Sequence, residues 1–171
     1  MADFRTNKRG FTLIEIIVVL LLICVVGAAI VMSSVYSPSE YELTSEMEVT
    51  KSRLRYAQVR AMNTNLIWGI DLFVGVKTSY YQLFKYDPAS DTKTNMGLPG
   101  NDPNNSGPVY FSDGIKINED MTVSFDTWGK PYVDAKAQTL QNEVGGWRTI
   151  SLLQSGNTVD IRIRNNTGFI P

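Results

Sequence analysis

Glu15 is the acidic residue with the most unusual sequence environment in this chain. It is the only charged residue among the 22 residues from Phe11 to Met32, which are otherwise almost entirely apolar. A carboxylate at the centre of a bilayer costs about 2.5–3.5 kcal/mol on insertion scales. A glutamate in such a run therefore requires a positively charged partner. The chemistry that it indicates is ion pairing rather than catalysis.

The composition argues against an enzyme. The 171 residues include no histidine, which removes the commonest general base and a favoured metal ligand. No glycine-rich phosphate loop of the P-loop type occurs. The single cysteine, Cys24, lies inside the apolar run, so no disulfide can form within the chain. We predict a protein without catalytic activity and without a cofactor.

Three arginines could form a small basic patch near the C-terminus. Arg162 and Arg164 alternate along a predicted strand, and Arg148 lies on the predicted hairpin partner. Residues i and i+2 of a strand face the same side, and arginines there could contact phosphates. The competing interpretation is an amphipathic strand that points Ile161 and Ile163 inward and its arginines to solvent. Because the net charge is only −1, we do not expect nucleic acid to be the main partner.

Acidic residues also cluster in a predicted loop at 87–108. Asp87, Asp91 and Asp102 could supply oxygen ligands to calcium, although their spacing does not match an EF-hand. The default interpretation is that they are solvated loop acids, and we predict no metal site.

The apolar run itself predicts a single-pass membrane helix over residues 11–36. At about 1.5 Å per residue, its length suffices for a hydrocarbon core of roughly 30 Å. Arg5, Lys8 and Arg9 precede it and predict that the N-terminus stays cytoplasmic.

The junction between the basic segment and the apolar run carries a specific pattern, Gly10-Phe11-Thr12-Leu13-Ile14-Glu15. It resembles the signal of type IV prepilins. The resemblance implies that residues 1–10 are a leader peptide, that a prepilin peptidase cuts between Gly10 and Phe11, and that Phe11 becomes N-methylated. Glu15 then takes the place of the family's invariant fifth-position glutamate. In a filament, its carboxylate can pair with the new amine of a neighbouring subunit, and each group compensates the other in a low dielectric.

Three simpler interpretations compete with this one. An ordinary secretory signal would be cut after the apolar run, where Gly27-Ala28-Ala29 is a weak candidate. An uncleaved membrane anchor would have no use for Glu15. Gly10 could also be merely a flexible residue before the helix.

The remainder of the chain predicts an α+β, pilin-like fold. Ser37, Pro38 and Glu40 form a helix-start signal, and apolar residues at helical spacing predict an amphipathic helix over 37–65. Residues 66–171 read as a globular antiparallel β domain on which this helix packs. Its predicted strands lie at 66–74, 80–86, 109–111, 115–117, 122–125, 130–133, 148–153 and 158–164, with a last edge strand at 167–171.

Three segments of this part resemble the H-type minor pseudopilins of type II secretion systems and related minor pilins. They are the helix end at 51–65, the turn Val123–Pro131 with its Phe125, Gly129 and Pro131, and Asn166-Thr167-Gly168 near the C-terminus. The chain departs from the family pattern after Gly168, where it has Phe169 instead of arginine.

The resemblance implies a structural subunit of a type II secretion pseudopilus or a type IV pilus. The implied partners are other pilins or pseudopilins, the prepilin peptidase and the inner-membrane assembly platform. The implied location is the bacterial inner membrane, with a periplasmic C-terminal domain, and then the filament. The alternative is a minor pilin that binds DNA during transformation through its C-terminal arginine strand.

Overall fold

The structure is a computed structural model that describes residues 10–33, 38–99, 106–140 and 146–171. Residues 1–9 of the predicted leader, Ser37 and the calcium candidate Asp102 lie outside these ranges. The chain divides into two compact units, 1–37 and 38–171, which are described separately.

The first unit contains helix α1, Leu13–Ser33. The side chains from Phe11 to Ala29 are all exposed. Within the described ranges, none of the helices combines the length and the apolarity that crossing a bilayer demands.

The second unit begins with helix α2, Pro38–Asn63, followed by strands that form two antiparallel sheets. Proline suits the first helical position because the N–H that it lacks would have no intrahelical acceptor. The strands are β1 (Ile67–Phe73), β2 (Tyr80–Asp87), β3 (Thr92–Met96), β4 (Val109–Tyr110), β5 (Lys116–Ile117), β6 (Met121–Phe125), β7 (Pro131–Tyr132), β8 (Trp147–Gln154) and β9 (Asn157–Arg164).

Sheet A has the order β3-β2-β1-β6-β7, with β4 also pairing with β2, and sheet B has the order β5-β8-β9. The apolar stripe of α2 packs on these sheets and buries Leu43, Leu54, Ala57 and Ala61 completely. Burial of an apolar side chain contributes about 1.5–3 kcal/mol, so this stripe accounts for much of the attachment of α2. The predicted α+β fold class is confirmed.

The predicted loop at 87–108 was wrong in part, because it contains β3. This strand pairs with β2 from Asp87 opposite Thr92 to Leu83 opposite Met96. Its sequence, Thr-Lys-Thr-Asn-Met, lacks apolar alternation, and its first four side chains are exposed. β3 is therefore determined by the hydrogen-bonding edge of β2, which sequence periodicity cannot reveal.

The predicted last strand at 167–171 was also wrong. Gly168 has a φ of +65°, and its N–H donates to the carbonyl oxygen of Arg164 at 2.8 Å, which closes a turn. The chain then turns back so that Ile170 is buried in the core. Arg55 on α2 donates to the carbonyl oxygen of Ile170 at 3.0 Å.

Candidate functional site

Gly10 and Phe11 form an exposed junction immediately before α1. Neither residue is helical, and the side chain of Phe11 is 80% exposed. A Cβ atom built on Gly10 would have no heavy atom within 4 Å, and its φ is not in the left-handed region. The described part of the chain therefore imposes no packing or backbone requirement for glycine at position 10.

Thr12 caps the N-terminus of α1. Its hydroxyl accepts the backbone N–H of Glu15 at 3.3 Å, and its carbonyl accepts the N–H groups of Glu15 and Ile16. A threonine followed three residues later by glutamate is the capping-box pattern, and it identifies Thr12 from sequence as the residue that starts the helix. Sequence reasoning assigned the Thr12 hydroxyl only a general bond to the helix backbone.

Glu15 lies in the first turn of α1 and is exposed. A carboxylate at this position is favoured by the helix dipole, which places partial positive charge at the N-terminus. Among the described residues, Glu15 forms no ion pair. The arrangement thus presents a carboxylate in the first turn of an exposed apolar helix, four residues after the exposed Phe11.

Comparison with known proteins assigns this segment to a family. Residues 5–31 match the family described as the prokaryotic N-terminal methylation motif. The chain is also 27% identical over 159 residues to a Pseudomonas aeruginosa protein named type II secretion system protein H, a match that covers 92% of this chain and 82% of that relative. The chain is thus similar to type IV pilin-like proteins, in its N-terminal segment by the family match and over most of its length by this relative. No solved structure is significantly similar to it.

The three segments that resemble H-type pseudopilins meet at Gln58. Nε2 of Gln58 donates to the carbonyl oxygens of Gly129 at 2.9 Å, Gly168 at 3.2 Å and Thr167 at 3.3 Å. One side chain on α2 therefore ties together the turn after β6 and the C-terminal turn. The sequence indicated each segment but not their contact.

The glycines at this contact are required by the close approach of the backbone. Gly129 and Gly168 both have positive φ, +78° and +65°. A Cβ on Gly168 would overlap the carbonyl oxygen of Gly129 and Nε2 of Gln58. The two turns can bond the same amide because Gly168 carries no side chain there, and both glycines adopt the left-handed conformation that the turns need.

Asp126 orders the turn after β6. Its Oδ1 accepts the N–H groups of Trp128 and Lys130, each at 2.9 Å, and its Oδ2 accepts the hydroxyl of Tyr132 at 3.1 Å. Burial and this hydrogen bond raise the pKa of Tyr132. The turn holds the side chain of Trp128 in solvent, 86% exposed.

The three arginines of the predicted basic patch do not share a face, so that prediction was wrong for Arg148. In the β8–β9 register, Arg148 lies opposite Ile163 and is buried, and its guanidinium donates to the carbonyl oxygen of Tyr132. Arg162 and Arg164 lie on the exposed face, and the guanidinium of Arg164 lies 5.0 Å from the ring centroid of Trp147. Of the three candidate nucleic-acid contacts, only Arg162 and Arg164 therefore remain exposed.

The two described calcium candidates have protein partners. Asp87 accepts from the N–H of Ala89 and the hydroxyl of Ser90, both at 2.9 Å, and the bond from Ala89 is the largest cause that lowers its pKa. Asp91 pairs with Lys136 at 2.6 Å and accepts the hydroxyl of Tyr86. No group of three or more metal-ligating acids, histidines or cysteines occurs within the described ranges.

One buried acid was not anticipated from sequence. Asp71, in the middle of β1, is 6% exposed, pairs with Lys93 at 2.5 Å and accepts the hydroxyl of Thr122 at 2.8 Å. The sequence signal that could have identified it is the presence of an acidic residue inside the otherwise apolar β1. These contacts satisfy a charge that would otherwise be costly to bury, so we interpret Asp71 as structural.

Proposed function

We propose that this chain is a structural subunit of a pseudopilus or a related pilus, processed after Gly10 and assembled through α1. The observation that carries the proposal is the exposed Gly10–Phe11 junction. Since nothing in the described fold requires glycine at position 10, we infer that the requirement comes from another molecule, a prepilin peptidase that must reach the peptide bond.

Glu15 takes the assembly role in this proposal. Cleavage creates an amine at Phe11, four residues before the Glu15 carboxylate, and both groups carry charge at the start of an apolar run. Pairing between the carboxylate of one subunit and the amine of the next neutralises both charges and sets an axial step of one subunit. The exposed side chains from Phe11 to Ala29 then pack between neighbouring helices.

Before assembly, the apolar run from Phe11 to Met32 anchors the precursor in the inner membrane, with residues 38–171 in the periplasm. The basic residues before Gly10 support this orientation. The similarity to type II secretion system protein H supports the secretion branch over the pilus branch. The partners are then other pseudopilins and the assembly platform.

Two single variants of the full-length chain test processing and assembly separately. Gly10→Ala should remove most of the processed form, and intact-mass measurement of membrane-extracted protein detects the retained leader. Glu15→Ala should be processed normally but should enter the filament poorly, as measured by its amount in sheared filaments.

Gly27→Ala is the matched control. A Cβ atom built on Gly27 would likewise have no heavy atom within 4 Å, and this glycine lies at the weak secretory-signal site. The variant should leave processing unchanged. A native N-terminus that begins after residue 27, or that retains residues 1–10, would refute the proposal.

A further inference from the structure

β9 has one strand neighbour and one open edge. It is an outer strand of sheet B and pairs with β8 along its whole length. In the part of the chain that the structure describes, no strand pairs with its other side. An eight-residue edge of this kind is a template for pairing with another chain.

The hairpin turn determines which backbone groups face the open edge. Ser155 and Gly156 have φ values of +51° and +87°, as a two-residue type I′ turn requires. Gln154 and Asn157 are then a hydrogen-bonded pair, so the backbone groups of Asn157 point towards β8 and those of Thr158 point away.

Alternation along the strand points the N–H and C=O groups of Thr158, Asp160, Arg162 and Arg164 outward. The C-terminal turn confirms the direction at Arg164, whose N–H donates to the carbonyl oxygen of Phe169 at 2.9 Å. No described backbone group bonds those of Thr158, Asp160 or Arg162.

The geometry points to a second copy of this chain as the occupant of the edge, paired antiparallel with Asp160 opposite Arg162 of the other copy. The twofold axis passes between the two copies of Ile161, so the pair of Asp160 with Arg162 occurs twice. The alternative register that places Asp160 opposite its own equivalent is disfavoured, because like charges directly opposite each other destabilise a sheet. Charges of one sign would repel in every register, whereas Asp160 and Arg162 are complementary in this one.

A nucleic acid fits this edge less well. The open groups of Thr158, Asp160 and Arg162 are backbone donors and acceptors that match another strand, and Asp160 would repel a phosphate. The pair also differs from a filament contact. A twofold interface closes on itself, whereas a fibre needs a repeating head-to-tail interface. The inference therefore extends beyond the proposed function and would survive its failure.

Charge exchange in the full-length chain tests whether Asp160 and Arg162 hold two copies together at this edge. Asp160→Arg places two arginine pairs across the axis, and Arg162→Asp places two aspartate pairs there. Each variant alone should raise the dissociation constant of the pair by about tenfold or more. An equimolar mixture of the two variants should restore association, because each copy then presents the charge that the other lacks.

Sedimentation in detergent at matched density measures the number of chains per particle. Lys116→Asp, on the opposite edge strand of the same sheet, should pair like the original chain. The proposal is overturned if the original chain sediments as one copy, or if both charge variants still pair alone, which would assign association to α1. It is also overturned if the mixture fails to associate while circular dichroism shows both variants folded.

Discussion

Glycines at three positions show how the same residue type serves different needs. Gly10 has open space around it, Gly156 needs only a positive φ, and Gly168 needs both a positive φ and the absence of a side chain. Substitution of a glycine that the fold requires should lower the free energy of unfolding. Substitution of a glycine that another protein requires should instead change processing.

We expect Gly168→Ala to lower the free energy of unfolding by about 2–5 kcal/mol. The left-handed conformation costs an L-residue about 1–2 kcal/mol, and overpacking against Gly129 and Gln58 adds about 1–3 kcal/mol. Urea unfolding followed by circular dichroism measures the change. Gly156→Ala, whose surroundings are open, is the control and should cost only the backbone part. Equal losses in the two variants would contradict the packing argument.

At the scale of the elements, the loop at 133–140 covers part of the outer face of sheet A. Its Ala135 and Ala137 pack against a buried cluster of Ile67, Phe84 and Tyr86. Asp134 holds the loop closed by accepting the N–H groups of Lys136, Gln138 and Thr139.

In this loop, burial and hydrogen bonding shift the pKa of a carboxyl group in opposite directions. Burial alone would raise the pKa of Asp134, but the N–H groups of Gln138 and Thr139 outweigh it and lower the pKa. The hydrogen bond from Lys136 likewise lowers the pKa of Asp91. Both carboxylates are therefore held in the charged form by the closed loop.

We expect the loop to open in acid. A carboxyl group with a lowered pKa in the folded state stabilises that state above its unfolded pKa of about 3.9, and this contribution is lost as the pH falls through the folded value. Hydrogen exchange of the Lys136, Gln138 and Thr139 amides, corrected for intrinsic rates, should lose protection below about pH 4. Protection that is unchanged down to pH 2 would contradict the prediction.

Asp134→Asn should weaken the same protection at neutral pH by roughly three- to tenfold, a modest effect because solvent screens the partly exposed group. Asp113→Asn is the matched control, since no described group donates to its carboxylate, and it should leave these amides unchanged.

At the scale of the whole molecule, all the buried apolar side chains described here belong to the second unit, from Leu43 to Ile170. In the first unit, every side chain whose burial is described, from Phe11 to Ala29, is exposed. The described core therefore lies in the second unit, whereas our proposal gives assembly to the first.

We expect the fragment 38–171 to fold by itself and to unfold at the same urea concentration as the full-length chain in detergent. Within the fragment, Leu43→Ala should lower the free energy of unfolding by about 2–5 kcal/mol, because it removes a fully buried side chain under α2. A fragment without a cooperative transition would show that the first unit is needed for folding.

The sequence alone determined the features that depend on neighbours along the chain. Helical spacing predicted the buried stripe of α2, and strand composition with turn signals predicted the β1–β2 and β8–β9 pairs. The Gly10–Glu15 pattern is likewise local, since its residues are consecutive. The helix and strand predictions are confirmed because one short segment carries the whole signal, whereas the roles of Gly10 and Glu15 stay predictions.

Only the tertiary structure decided what depends on partners far apart in the sequence. β3 forms because β2 offers an edge, Arg148 is buried because the register places it opposite Ile163, and Gln58 joins turns more than 70 residues downstream of it. The open edge of β9 is likewise visible only once the strand order is known. The type of a residue determines which groups its side chain can bond. Whether such a group lies within bonding distance depends on how the whole chain packs.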